Sequence, residues 1–182
     1  MQNDKSRRLI FSIPTVEEEQ RICRGLAEYI SEQMVNQLLT DQHMIIAKGR
    51  RQEVYILSSD LWRLYTQIQS LRHPYFIGRF LGELTKTALK PSLHIIDALG
   101  DAVKDTVKVI TTHTGEQKFL YGQPLENQHL KNWPTVLEGA RKVLVVNDQG
   151  EALGYGLLKS AETGKVTIKN QQDLGWYLRR GH

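Results

Sequence analysis

From residue 142 onward the chain is written in apolar runs too short to be helices. Lys142-Val143-Leu144-Val145-Val146 ends in Asn147-Asp148-Gln149-Gly150, a turn sequence, and Ala152 to Lys159 returns as a glycine-containing strand. Gly164 opens another. In Lys165-Val166-Thr167-Ile168-Lys169 the period is two, so Val166 and Ile168 face one way and Lys165, Thr167 and Lys169 the other. Upstream, Thr106 to Thr112 reads as a strand, and Glu116 to Tyr121 has room for one or two helical turns. Asp173 to Arg180 closes the series as a short helix or turn. Several short strands in so little chain predict a small barrel.

The first half has a different texture. Thr15-Val16-Glu17-Glu18 reads as a capping box, and Cys23, Leu26, Ala27, Ile30 and Met34 then recur at three- and four-residue steps. This spacing predicts one amphipathic helix reaching to about Leu38. His43 to Ala47 and Glu53 to Leu57 read as a hairpin with a basic tip, Lys48-Gly49-Arg50-Arg51, where Gly49 is free to take positive φ. Ser58-Ser59-Asp60 offers an N-cap to a second helix carrying Leu61, Leu64, Tyr65, Ile68 and Leu71, ended by His73-Pro74. Phe76 to Leu84 is apolar with two glycines, and Leu93 to Leu99, between Pro91 and Gly100, reads as a buried strand. Gly100 to Asp105 is small, polar and turn-rich, which sets a boundary between residues 1–103 and 104–182.

Composition narrows the function. With 182 residues the chain holds one ordinary domain or two small ones. It lacks the run of about eighteen apolar residues that spans a bilayer, and the apolar stretch before Pro14 is too short for a secretory signal, so the expected location is inside the cell. Cys23 stands alone, so neither an internal disulfide nor a cysteine zinc site is expected. The histidines at 43, 73, 94, 113, 129 and 182 show no ligand spacing, so no metal and no cofactor are expected. Lys plus Arg number 24 against 20 Asp plus Glu, a mild basic excess that permits a polyanion partner without demanding one.

Catalytic motifs fail on their own chemistry. Gly154-Tyr155-Gly156-Leu157-Leu158-Lys159 puts Lys159 where a dinucleotide fingerprint needs its third glycine, and it sits in a strand series. Gly164-Lys165 lacks the P-loop's earlier glycine, and no Gly-x-Ser-x-Gly elbow occurs. Glu17, Glu18 and Glu19 lie in a first helical turn, where they favour the helix dipole. His94 and Asp97, three apart on an expected strand, face opposite sides and make no dyad. Trp62, Trp133 and Trp176 are scattered, which reads as packing rather than a cage.

An ordered series of motifs resembles the PUA domain, an RNA-binding pseudo-barrel found beside RNA-modifying enzymes. Thr114-Gly115-Glu116-Gln117-Lys118-Phe119-Leu120-Tyr121-Gly122 is similar to its first helix and following glycine. Gly150 to Gly156 is similar to its central turn and strand, and Gly164 to Leu178 to its last strand and helix. With Thr85-Lys86-Thr87 and Leu93-His94 added, residues 15 to 180 resemble the Nip-seven ribosome-biogenesis family. The chain departs from that pattern at Glu83 and Leu84, where the family carries a basic residue and an aromatic, and at Thr167 and Gln172, where further positive charge is expected.

The resemblance implies an α+β protein: an N-terminal α/β sandwich-like domain with a mostly antiparallel sheet, then a PUA-type β pseudo-barrel. It implies a non-enzymatic factor that binds single-stranded or precursor ribosomal RNA and assists large-subunit assembly. Its partners would be pre-ribosomal assembly factors and, in some relatives, exosome components. An archaeal cytoplasm and a eukaryotic nucleolus both fit. The implied RNA-binding residues are Lys118, Tyr121, Gly122 and Gln123 in the helix and glycine loop, and Lys159, Lys165, Thr167 and Lys169 on the late strands. On spacing alone, the lysine face is either a phosphate-tracking surface or a solvated face that blunts edge pairing. Tyr121 is either an exposed stacking ring or a buried anchor, and Arg50 with Arg51 either a second contact or a solvated turn. An RNA-modifying enzyme would need a pocket in residues 1 to 103, and a protein adaptor would keep the barrel without RNA affinity.

Overall fold

The structure, a computed structural model, describes residues 10–68, 77–134, 140–160, 164–175 and 179. The expectations placed on Leu71, His73-Pro74, Phe76 and Trp176 to Leu178 lie outside the described residues. The chain divides into two compact units between Ile95 and Ile96, upstream of the change in texture near residue 104.

In the first unit β1 (Ile10–Ser12) leads to α1 (Val16–Ala27), α2 (Glu32–Leu39), β2 (Gln42–Lys48), β3 (Gln52–Ser58), α3 (Ser59–Ile68), β4 (Arg79–Leu84) and β5 (Leu89–Pro91). The five strands form one antiparallel sheet in chain order. The capping box at Thr15 is present: Glu18 N–H donates to Thr15 Oγ1 at 3.2 Å and the Thr15 N–H to Glu18 Oε2 at 2.8 Å. The expected single helix is two. Ser31, in extended conformation, accepts the Met34 N–H and starts α2 afresh, while Tyr29 and Ile30 are buried in the connection. The hairpin of β2 and β3 pairs as the sequence predicts, but Gly49 is not among the positive-φ residues.

Both faces of this sheet are buried. On β2 the even-numbered side carries Ile46 and Lys48, and Lys48 reaches Glu18 of α1 at 3.3 Å. The odd side carries Ile45 and Ala47, which pack with Tyr55, Leu57 and, from α3, Tyr65 and Trp62. Helices therefore cover both faces of the sheet, the sandwich-like arrangement the resemblance implies. On α3, Leu61 and Leu64 are 40% and 49% exposed; of the expected stripe Tyr65 does turn inward, and Trp62 joins it. The aromatic pair is the larger apolar surface and wins the buried side.

Residues 93 to 99 correct another expectation: Leu93–Leu99 is a helix, α4, and not a strand. Ser92 accepts the Ile95 N–H at 3.2 Å, and Leu93, Ile95 and Ile96 are buried while His94, Asp97 and Ala98 are exposed, a helical period. Short apolar runs are ambiguous in period, and the Ser92 cap decides this one. On a helix, residues three apart share a side, so the opposite-face argument for His94 and Asp97 fails. Asp97 Oδ1 accepts the Ala152 N–H at 3.2 Å.

The second unit continues with β6 (Lys108–Thr111), α5 (His113–Leu120), β7 (Leu125–Glu126), β8 (Leu130–Asn132), β9 (Ala140–Val146), β10 (Ala152–Ser160) and β11 (Val166–Asp173). The sheet order is β7-β11-β10-β9-β6-β8, antiparallel except for the β6–β9 pair. One core gathers Val109, Phe119, Leu125, Leu130, Val143, Val145, Leu153, Leu158, Val166 and Ile168, so every strand and α5 contribute to it. The two edge strands, β7 and β8, are separated in the chain only by Asn127–His129, so the sheet curls until its edges approach around that core, a pseudo-barrel. The alternation of β11 is as the sequence predicts, with Val166 and Ile168 inward, although Lys165 precedes the strand. Gly154 and Gly156 lie inside β10, well away from any strand-to-helix turn. Among the described residues no helix is long and apolar enough to cross a membrane.

Candidate nucleic-acid interface

Two surfaces of the second unit hold the candidate residues. The first is the C-terminal end of α5. Tyr121 ends the helix, Gly122 takes φ of 76°, and the chain closes on itself: Gly122 N–H donates to Phe119 O at 2.8 Å and Gln123 N–H to Lys118 O at 2.9 Å. This is a Schellman end, which needs a residue without Cβ in the left-handed region. It leaves Tyr121 71% exposed, so the buried-anchor alternative fails and the ring stands in solvent. Phe119 is fully buried and Leu120 packs on the same core.

Residues outside the set that the resemblance assigns to RNA hold this loop in place. Asn170 Nδ2 donates to Phe119 O at 2.8 Å. Arg179 Nη1 donates to Leu120 O, and its Nη1 and Nη2 meet the two oxygens of Asp173 at 2.9 Å each. The Asp173 side chain is 2% exposed. A buried carboxylate needs such a partner, and this one also satisfies an orphan carbonyl at the helix end. The paired carboxylate raises the Arg179 pKa by hydrogen bonding. A sequence signal existed only as the segment Asp173 to Arg179, since Leu120 lies far away in the chain.

The second surface is the outer face of β9, β10 and β11. Cross-strand register aligns Lys142, Leu157 and Lys169 in one row, and Ala140, Lys159, Thr167 and Glu126 in the next. With strands about 4.8 Å apart, Lys142 and Lys169 start about 10 Å from each other on either side of Leu157. Lys159 sits diagonal to both, at about 7–8 Å. All three lysines are exposed and, among the described residues, none has a carboxylate within ion-pair distance. Lys142 was not among the sequence-predicted residues; only the pairing of β9 with β10 brings it in. Lys165 differs. Its ammonium pairs with Glu126 Oε1 at 3.4 Å, which turns it toward β7.

The structure thus joins Lys159, Thr167 and Lys169 with Lys142, and separately Lys118, Tyr121, Gly122 and Gln123 with Arg179. β11 borders both groups from its two sides: Asn170, on the side of Val166 and Ile168, bonds to α5, while Thr167 and Lys169 face outward. Three unshielded ammonium groups on one sheet face can meet successive phosphates, and the exposed ring at the end of α5 can stack on a base.

The basic hairpin tip of the first unit behaves otherwise. Lys48 pairs with Glu18 and Arg51 with Glu83 at 3.1 Å, so two of its three cations are engaged. Glu83 is the family departure noted in the sequence. Cys23 is half-buried on α1 beside an open cavity of about 360 Å³ lined with Arg24, Ala27, Glu32, Val35 and Asn36, and burial raises its thiol pKa. Among the described residues no three His, Cys, Asp or Glu side chains converge on a metal-sized space.

Comparison with known proteins matches both units. The family model described as NIP7/UPF0113, pre-PUA domain, covers residues 13–94, and the UPF0113 PUA domain model covers residues 107–182. A UPF0113 protein of Aeropyrum pernix is 31% identical over 169 residues, spanning 92% of this chain and 91% of that one. The chain belongs to the NIP7/UPF0113 family. Its second unit is a PUA domain and its first a pre-PUA domain. Two solved structures share the fold: a conserved PUA domain protein from Thermoplasma acidophilum (TM-score 0.59, 13% identity, 94% of this chain and 98% of that one) and a hypothetical protein from Pyrococcus horikoshii (TM-score 0.57, 17% identity, 93% and 99%). In this PUA domain the helix, its terminal glycine and the last strand are the parts that carry Tyr121, Gly122 and Lys169.

Proposed function

We propose that the protein is an RNA-binding factor that acts without catalysis, holding single-stranded segments of precursor ribosomal RNA on its PUA domain during processing and large-subunit assembly. The observation that carries this reading is the cluster of Lys142, Lys159 and Lys169, three exposed cations that, among the described residues, have no carboxylate partner on that sheet face. Membership of the NIP7/UPF0113 family supports it. The phosphates supply affinity and the α5 loop supplies contact with a base. The pre-PUA domain serves as the docking surface for assembly factors, exosome components among them. Such a role belongs in an archaeal cytoplasm or a eukaryotic nucleolus.

The test is crosslinking of the tagged protein to RNA in its host cells, followed by sequencing of the bound fragments. Enrichment of large-subunit rRNA precursors, lost when Lys142, Lys159 and Lys169 are all changed to Ala, is the expected result. Fragments spread evenly over messenger and transfer RNA, or unchanged by the triple substitution, would contradict it.

A further inference from the structure

The Arg179 side chain has unspent hydrogen-bonding capacity. Nη1 uses both its hydrogens, one on Leu120 O and one on Asp173 Oδ1, and Nη2 uses one on Asp173 Oδ2. A guanidinium has five donors in one plane. The Nε–H and the second Nη2–H lie side by side on the remaining edge, and among the described residues they meet no acceptor. The side chain is 31% exposed, so this edge is reachable. Gly122 borders it: a Cβ there would lie 3.2 Å from Cζ, 3.3 Å from Nη2 and 3.5 Å from Nε. Only a residue without a side chain leaves the plane of the Arg179 guanidinium uncovered here, and Tyr121, with its ring in solvent, immediately precedes Gly122.

The local field limits what can enter. Asp173 neutralises the guanidinium, and the carbonyl end of α5 adds negative potential beside it. A phosphate gains little here, in contrast to the lysine cluster. A neutral planar group with two adjacent acceptors gains both hydrogen bonds, with the fork already fixed in orientation by three others. Guanine presents such a pair, N7 and O6, whereas adenine presents N7 beside a donor; unpaired cytosine has N3 and O2, but its single ring is the smaller stacking partner for Tyr121. Uracil has no two adjacent acceptors.

We infer that the Nε/Nη2 edge of Arg179, next to Gly122 and Tyr121 at the end of α5, is a base-reading fork for one unpaired guanine. The inference rests on the RNA-binding reading above and deepens it. The lysine cluster fixes the strand by charge, and Arg179 selects one base by geometry.

The test uses the full-length protein and single-stranded RNA oligomers of one length, uridine throughout except for one central position. That position carries guanosine, 7-deazaguanosine, adenosine, cytidine or uridine, and binding is read by fluorescence anisotropy. Guanosine is expected to bind about tenfold tighter than 7-deazaguanosine, adenosine or uridine. Arg179→Lys keeps the charge beside Asp173 but lacks the fork, and should erase that preference while leaving the salt dependence of binding unchanged. Because the base analogues probe the wild-type protein, a folding defect in the variant does not decide the outcome. Equal affinity for all five oligomers, with salt dependence retained, overturns the guanine fork and leaves RNA binding standing. A preference for cytidine equal to or above guanosine also overturns it. Absence of binding to any oligomer at low salt overturns both readings.

Discussion

The hairpin tip of the first unit and the β9–β11 face of the second treat their positive charge in opposite ways. In the pre-PUA domain the hairpin-tip cations are used inside the fold: Lys48 closes on Glu18 at the start of α1, and Arg51 crosses to Glu83 on β4. In the PUA domain Lys142, Lys159 and Lys169 stand on one sheet face without an acidic partner among the described residues. A cation already paired must give up its partner before it can bind a phosphate; an unpaired one need only release a counterion. A basic sequence run is therefore a poor guide to a nucleic-acid surface. What matters is which cations the fold has left unspent.

The contrast can be broken most strongly at the barrel core. Phe119 is fully buried beneath Gly154, and its truncation to Ala should cost about 3–5 kcal/mol and loosen the α5 loop, measured by denaturant unfolding. If RNA affinity survived that change in folded protein, the loop would have no part in binding. Next in size is the triple lysine substitution, which should lower RNA affinity and reduce the salt slope by about 2, the value for three phosphates on single-stranded RNA. The matched double substitution of Lys48 and Arg51 to Ala should leave RNA affinity unchanged.

A smaller effect sharpens the pre-PUA side. Glu18 accepts the Thr15 N–H and pairs with Lys48, and these contacts hold its pKa below the usual 4.5, against the opposing effect of burial. A lowered folded-state pKa means that the carboxylate stabilises the fold above about pH 4.5 and loses that contribution as pH falls through the lower folded value. Glu18→Gln should therefore cost about 1 kcal/mol near neutral pH, with the gap to wild type closing in acid melts. The smallest effect belongs to Lys165→Ala. Its exposed pair with Glu126 contributes about 0–1 kcal/mol, and RNA affinity should fall less than for any one of the three cluster lysines.

Where local chemistry decides structure, the sequence was readable. The Thr15 capping box, the β2–β3 hairpin and the inward Val166 and Ile168 all follow from neighbours within a few residues. The failures share a cause. Leu93 to Leu99 is too short for its period to separate helix from strand, and the single Ser92 cap settled it. The apolar steps from Cys23 to Met34 ran through a break that Ser31 makes. For the site, the family motifs pointed to the α5 loop and β11. Lys142 became visible only through its register with Leu157; Arg179 lay in the motif Asp173 to Arg179, but its place at the α5 loop shows only in its contact with Leu120, and both contacts are distant in sequence. Lys165 was expected among the RNA-binding residues, and its partner Glu126 lies on a strand, β7, that no pattern announced.

The central claim is that the unpaired lysine cluster on β9 to β11, and not basic charge in general, holds RNA. The measurement is anisotropy of a labelled single-stranded RNA titrated with salt, run on wild type, on the Lys142, Lys159 and Lys169 triple Ala variant, and on the Lys48 and Arg51 double Ala variant. The account predicts that log affinity falls with log salt at a slope of about −2 for wild type and the double variant, and that the slope flattens toward zero in the triple variant. A slope retained in the triple variant and lost in the double would contradict it.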